Sequence, residues 1–321
     1  MGRYLKRLLS LVGDFRDDER FIDLIFKDQK LMEVIRPPTS FSQMMSSLDD
    51  ESRVLAQEYL RLKRESIENS DKLIKKACEN VEENKGHCYT AKDKEEARKI
   101  VEEVVGEGII IRSLDLTVEE VNVDLALRGR DVIESFLPTL IEKLGEKGYD
   151  TKGVIEELGG NPLSFMREKL YEAHAGITGV TAFAADPGSM FIVSDTGLDR
   201  LVSMTPLIHV AIVGYDEVVP TYSDAFKVSE FVIKATNPHY LGIIGGPSKT
   251  GDIEKRITYG AHGPKEVHVI FLDDGRTDVE ADKLACLRVG KLPFVSTYPT
   301  WKKMIGEGEE WGEECTVTAS P

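Results

Sequence analysis

Between Gly86 and Asp274 the chain alternates short apolar runs with stretches of helical periodicity. No other feature restricts the fold as tightly. HCYT (87–90), GIIIR (108–112), DVIESF (131–136), IHVAIVG (208–214), YLGIIGG (240–246) and EVHVIFLDD (266–274) read as strands. AKDKEEARKIVEEVV (91–105), TVEEVNVDLALR (117–128), 138–147, 162–175 and SDAFKVSEFVIKA (223–235) read as helices. Strands that are apolar throughout need cover on both faces, and helices between them supply it. IHVAIVG is the most continuous of these runs and reads as a central strand. VTAFAA (180–185) and SMFIVSD (189–195) flank Asp186-Pro187-Gly188, a turn signal, and read as a hairpin. The expectation is an α/β domain: a three-layer, mainly parallel mixed sheet with helices on both faces.

Residues 1–85 carry helical spacing, as in Leu5, Leu8, Leu9 and Val12, and are interrupted at Arg36-Pro37-Pro38-Thr39. Asp49 or Asp50 is placed to cap a long helix running to about Asn84. This gives an expected N-terminal helical extension (1–85), an α/β domain (86–276) and a C-terminal tail (277–321). The extension has a surface for this chain's core or for another subunit, a second copy of the chain included.

Charge excludes one class of partner. Lys and Arg number 41 against 56 Asp and Glu, a formal charge of −15, and no basic patch stands out, so nucleic acid is not an expected ligand. No run approaches the ~18 apolar residues of a membrane span. MGRYLKRLLSLVGDF (1–15) suits an amphipathic helix better than a signal peptide. Cys78, Cys88, Cys286 and Cys315 show no short thiolate spacing, so neither zinc nor a ligated cluster is expected. A soluble cytoplasmic protein with reduced thiols follows, Cys78 and Cys88 being inert.

Three features have the composition of a site. In LGIIGGPSKTGDIE (241–254) a strand runs into Gly246, Ser248, Lys249, Thr250 and Asp252. Free N–H groups and the Lys249 ammonium there suit an anion, although Ser248 stands where a P-loop needs Gly; a tight strand-to-loop connection is the plainer reading. In GITGVTAFAADPG (176–188), Gly176, Thr178, Gly179 and Gly188 leave room either for a ligand or for close helix packing. Among the six histidines, His262 lies in a Gly/Pro loop and is the best placed for function, whereas His209 and His268 lie in apolar strands and read as interior residues. No two histidines have metal-ligand spacing along the chain, so no metal is expected. No cofactor is expected either.

The segments GHCYTAKDKEEA (86–97), 176–222 and GGPSKTGDIEKRITYGAHGPKEVHVIFLDDGR (245–276) resemble the lactate-utilisation (LUD) domain family. The resemblance implies a fold of the NagB/RpiA/CoA-transferase type, with the GITG and GPSKT segments converging on one cleft for a small carboxylate or phosphate. It also implies iron–sulfur partner subunits. In the long branch of the family, four cysteines spaced Cys-x2-Cys-x2-Cys-x3-Cys-Pro follow an Asp-Asn-Gly-Arg; here Cys286, Val289, Leu292 and Ser296 occupy those positions. Remnant or coincidence, one thiolate with three other groups does not hold a cluster. Other positions depart from the family pattern: Arg112-Ser113-Leu114-Asp115 replaces Lys-Ser-Lys-Ser, and Phe136 replaces an Asp two residues after Glu134.

Three functions are consistent with this reading. One is a non-redox subunit or accessory factor of a lactate-oxidation system. The second is a free-standing isomerase, deaminase or transferase acting on a small anionic metabolite, with Glu134, Asp186 or Asp252 as base and Lys249 stabilising negative charge. The third is an interaction protein whose pocket is vestigial.

Overall fold

The computed structural model describes residues 2–13, 49–194, 196–236, 238–251 and 256–278. Asp252 and Cys286 therefore lie outside the described residues. Among the described residues the helices are α1 (Arg3–Leu9), α2 (Asp50–Glu68), α3 (Ser70–Glu83), α4 (Lys94–Val104), α5 (Leu116–Val121), α6 (Val123–Ala126), α7 (Leu137–Glu146), α8 (Lys152–Glu157), α9 (Pro162–Glu172), α10 (Leu198–Met204) and α11 (Tyr222–Thr236). The strands are β1 (His87–Ala91), β2 (Ile110–Arg112), β3 (Val132–Glu134), β4 (Ala175–Gly179), β5 (Ala182–Asp186), β6 (Ser189–Ser194), β7 (Ile208–Gly214), β8 (Val218–Thr221), β9 (Tyr240–Ile244), β10 (Lys249–Gly251), β11 (Ile257–Tyr259) and β12 (Glu266–Leu272).

A six-stranded sheet, order β1-β12-β7-β4-β2-β3, is parallel at every pairing. The mixed pairing expected from the hairpin lies in a second sheet, order β8-β5-β6-β9. The continuous apolar strand β7 lies inside the main sheet, between β12 and β4. Its alternate residues feed two cores. Val210 and Ile212 pack with Ala97 and Val101 of α4 and Val118 and Val121 of α5. Ala211 and Val213 pack with Ile74 and Ala77 of α3 and Phe183 of β5. Helices α2 and α11 cover the far face of the second sheet, where Tyr59 and Phe231 meet at 4.8 Å.

Local chemistry sets the helix starts. The Asp49 carboxylate accepts from the Ser52 amide and begins α2. The Asp93 carboxylate accepts from the Glu96 amide, and Glu96 reaches back to the Lys92 amide. The helix expected over 117–128 is broken in two, because Asn122 takes a left-handed conformation with φ 53°. Strand β4, unexpected from its Gly-rich sequence, contains Gly176 and Gly179. Cys78 and Cys88 are joined by a disulfide, Cα–Cα 5.3 Å, tying α3 to β1. The expectation of reduced thiols is corrected for this pair. A helix that turns straight back into a strand brings together cysteines ten residues apart, a relation that short-spacing patterns miss.

The carboxyl side of the main sheet is closed by buried ion pairs. Arg276, four residues past β12, donates through Nη1 and Nη2 to both Glu120 oxygens at 2.9 and 2.6 Å, and through Nε to Asp216 at 2.7 Å. Asp216 also receives Lys63 from α2, Nζ to Oδ2 3.0 Å. All four side chains are at most 3 % exposed. Removing the Arg276 guanidinium leaves Glu120 and Asp216 short of a buried partner. Arg276→Met is expected to cost about 3–5 kcal/mol in chemical denaturation, against less than ~1 kcal/mol for Arg61→Met, whose exposed pairs lie on the surface of α2.

Candidate functional site

A second charge cluster sits at the ends of β2 and β3. Arg112, the last residue of β2, is fully buried. Its Nη1 donates to Glu119 at 2.6 Å, its Nη2 lies 2.8 Å from Asp124, and Glu134 stands 3.9 Å away. Burial alone would lower the Arg112 pKa, but Asp124, Glu119 and Glu134 outweigh it and hold the guanidinium charged. Three carboxylates thus surround the Arg112 guanidinium. For Asp124 burial pushes the pKa up, yet the Arg112 charge wins and the carboxylate is held below its ordinary value. Glu134 goes the other way. Burial is the largest cause, Arg112 opposes it and Asp124 adds to it, and the carboxyl is raised to about 7. The Gly2 amide donates to its Oε1 at 2.6 Å.

Beside the outer edge of β3 lies a cavity of about 850 Å³, lined by Gly2, Arg3 and Lys6 of the N-terminal segment and by Asp124 and Leu127–Val132. Gly2 lines it and also touches the Glu134 carboxyl through its amide. Four cations (Arg3, Lys6, Arg128 and Arg130) face two acids there, Asp124 and Asp131, a local reversal in a chain of charge −15. Arg130 is held by the Gly106 carbonyl and by Glu107 at 3.3 Å. The Arg3 guanidinium lies 4.6 Å from the Tyr4 ring centre. Arg128 is exposed. Such a lining suits a small carboxylate or phosphate.

The structure does not bring the residues singled out in the sequence into one cleft. Gly176 and Gly179 provide close approach rather than space. A Cβ on Gly176 would overlap the Val202 carbonyl of α10, and one on Gly179 would overlap the Asp115 carboxylate. Thr178 is buried with its hydroxyl 2.8 Å from His209 Nε2. His209 is interior, as expected, and burial drives its pKa down to about 3, so the ring is neutral. The GPSKT segment lies at the other end of the strands. The Ser248 amide donates to Pro264 O, and the Lys265 amide to Leu207 O, just before β12 and β7 begin. Lys249 and Thr250 form a two-stranded ribbon with Tyr259 and Thr258. His262 is exposed and its amide donates to Ser248 Oγ at 3.2 Å. Gly246 lies against Asn84 and Gly188 against Asn80, both on α3 or at its end. Asp186 ends β5 and lines a separate concavity of about 520 Å³ with Lys72, Lys75 and Lys76. The expected convergence is corrected: parallel strands put the GITG carboxyl end and the GPSKT loop on opposite sides of the sheet.

Of the three proposed bases, Glu134 and Asp186 are described: Asp186 lines the lysine-bearing concavity itself, and Glu134 touches Gly2, a lining residue of the cavity beside β3. The reading from sequence missed Arg112, Glu119, Asp124, Glu120, Asp216, Arg276 and Lys63. The available signal was an arginine closing an apolar strand, GIIIR, since a buried charge requires a partner. Three side chains with metal-ligand chemistry do meet, His87, Glu266 and His268, at the amino ends of β1 and β12, away from Glu134. Spacing along the chain could not show this, because strand pairing makes the contact.

The raised Glu134 pKa fixes a sign. The folded protein retains a proton that the unfolded chain releases between about pH 4.5 and about pH 7. The resulting stabilisation is present below that window and lost as pH rises through it. Glu134→Gln mimics the neutral acid. Unfolding free energies at pH 5 and pH 8 are expected to show wild type losing on the order of 3 kcal/mol more than Glu134→Gln over that range; equal losses would refute the assignment.

The chain is 27% identical over 297 residues to lactate utilization protein B of Bacillus licheniformis, covering 80% of this chain and 59% of that protein. It is 27% identical over 296 residues to lactate utilization protein B of Bacillus subtilis, with 80% and 59% covered. The uncharacterized electron transport protein YkgF of Escherichia coli is 25% identical over 287 residues, with 75% and 57% covered. The chain thus spans about three-fifths of the length of these relatives. A crystal structure of a DUF162 family protein from Deinococcus radiodurans matches with a TM-score of 0.39 and 15% identity, over 63% of this chain and 98% of that one. The model of the LUD domain matches residues 74–272, more than half of the chain, and the protein belongs to the LUD domain family.

Proposed function

We propose that this LUD-domain protein is a non-redox subunit or accessory factor of a lactate-oxidation system, and that it holds a small carboxylate or phosphate in the cavity beside β3. The cavity lining carries the reading: Arg3, Lys6, Arg128 and Arg130 all line one opening of an otherwise acidic chain. The names of the relatives, lactate utilization protein B and an electron transport protein, support the association with lactate. The sequence supports the division of labour. Cys286 is followed by Val289, Leu292 and Ser296 at cluster-ligand spacing, so electrons would travel through iron–sulfur partner chains instead.

The chemistry is recognition by paired charges. A carboxylate or phosphate entering the cavity meets guanidinium groups that form two-pronged hydrogen bonds. In the second reading the protein is an enzyme of isomerase, deaminase or transferase type. One observation favours it: a carboxyl poised near pH 7 matches the requirement for a general base. In that case Gly2 must move aside, because its backbone lies between Glu134 and the cavity.

Thermal-shift and calorimetric titrations with lactate, pyruvate and inorganic phosphate test the binding claim. At least one is expected to bind wild type, with affinity falling ~10-fold or more in Arg128→Glu, a surface change that leaves the fold intact. Undiminished binding in Arg128→Glu would remove the cavity from consideration. Turnover of a small anion by the protein alone, lost in Glu134→Gln, would favour the enzyme.

A further inference from the structure

We propose that His87, His268 and Glu266 form a binding site for a divalent transition-metal ion, zinc by ligand chemistry, at the amino ends of β1 and β12. The backbone builds it. His87 pairs with His268 across the parallel ladder, and paired residues on parallel strands share a face. Glu266 precedes His268 by two residues and so projects to the same side, as does Tyr89, two residues after His87. The candidate ligand atoms of the two histidines and the glutamate all lie within 4.8 Å of one another.

His268 supplies the independent observation. The residue is 6 % exposed, and its Nε2 is a buried polar atom with no hydrogen-bond partner. Nε2 points toward Glu266, 3.6 Å from Oε2. On the other side of the ring, Nδ1 is 3.1 Å from the Tyr89 hydroxyl. With Nδ1–H donating to that oxygen, Nε2 keeps its lone pair and faces a carboxylate oxygen that carries lone pairs of its own. In that tautomer the buried Nε2 and the half-exposed Glu266 carboxylate present lone pairs to one another, and a cation between them satisfies both. A metal ligand whose second ring nitrogen is fixed by a hydrogen bond is the usual arrangement around a protein-bound ion.

The ligand set selects the ion class. Two imidazoles and one carboxylate suit zinc and its neighbours rather than calcium or magnesium, which prefer all-oxygen shells. Three protein ligands leave a fourth position for water. Bonds of about 2.0–2.2 Å require the ligand atoms to draw together slightly. His87 is exposed and Glu266 half-buried, so both can turn, while His268 is held in place. The His87 ring stacks on that of His268, centres 4.7 Å apart and planes 19° apart, so His87 turns about its side-chain bonds to bring a nitrogen lone pair onto the ion. None of the three residues lines the cavity beside β3, so this site stands or falls independently of the anion-binding reading.

The test uses the full, untagged chain, stripped with a chelator and dialysed. Zinc is titrated in competition with a chromophoric chelator, and cobalt is used as the spectroscopic probe. One equivalent of zinc is expected, with cobalt d–d bands and no thiolate charge-transfer band. His87→Ala is expected to weaken binding ~10-fold or more, and His268→Gln to abolish it. Because His87 is exposed, its variant keeps the fold, and its melting temperature without metal checks this. The wild-type melting temperature should rise with zinc, and that of His268→Gln should not. Absence of stoichiometric binding would overturn the proposal. So would binding that shows a thiolate band and survives His87→Ala, which would assign the ion to the cysteines of the tail.

Discussion

Charge taken out of water must be answered by charge, and this requirement shapes the carboxyl side of the main sheet. Arg112 ends one strand and Arg276 follows another, and both are buried. Each gathers carboxylates from a different part of the chain: Glu119, Asp124 and Glu134 around Arg112, Glu120 and Asp216 around Arg276. Breaking either set strands ions in a medium that solvates them poorly, so the positions of α5, α6 and the turn after β7 are fixed together. In open α/β sheets the crevice at this side is the usual place for a ligand. Among the described residues of this protein, its own side chains occupy much of that space.

The cation-lined cavity lies instead at the edge of the sheet. Three carboxylates crowd the Arg112 guanidinium, and burial raises the Glu134 carboxyl above its ordinary pKa. Its carboxyl abuts the amide of Gly2, and on the far side of Gly2 the cation-lined cavity opens. The N-terminal segment therefore has two roles. Leu5, Leu8 and Leu9 complete an apolar core with Ile133 and Leu140, while Arg3 and Lys6 face the cavity.

Much of the fold was legible in the sequence because it depends on local patterns. IHVAIVG and GIIIR are apolar on both faces, which requires a covered sheet, and Asp186-Pro187-Gly188 marks the hairpin of the second sheet. The misreadings share a cause in contacts between distant parts of the chain. AGITG is a strand because two glycines let α10 and Asp115 approach its backbone, although glycine disfavours strands in isolation. Asn122 divides a stretch whose periodicity suggested one helix. The site was less legible. Glu134 was singled out, yet its neighbours Arg112, Asp124 and Gly2 come from three other elements. Lys249 and His262, chosen for composition, belong to a ribbon and loop at the opposite end of the strands.

Lys63 has a consequence for where the folding unit begins. The stretch matched by the family model starts at residue 74, within α3, and so omits a lysine whose ammonium touches both the carboxylate and the carbonyl of Asp216. It also omits Tyr59, which packs on Phe231. A fragment trimmed to the homology boundary would leave an acidic hole and a bared aromatic face where a helix had been. The stretch that the family model matches and the stretch that these contacts hold together have different lengths.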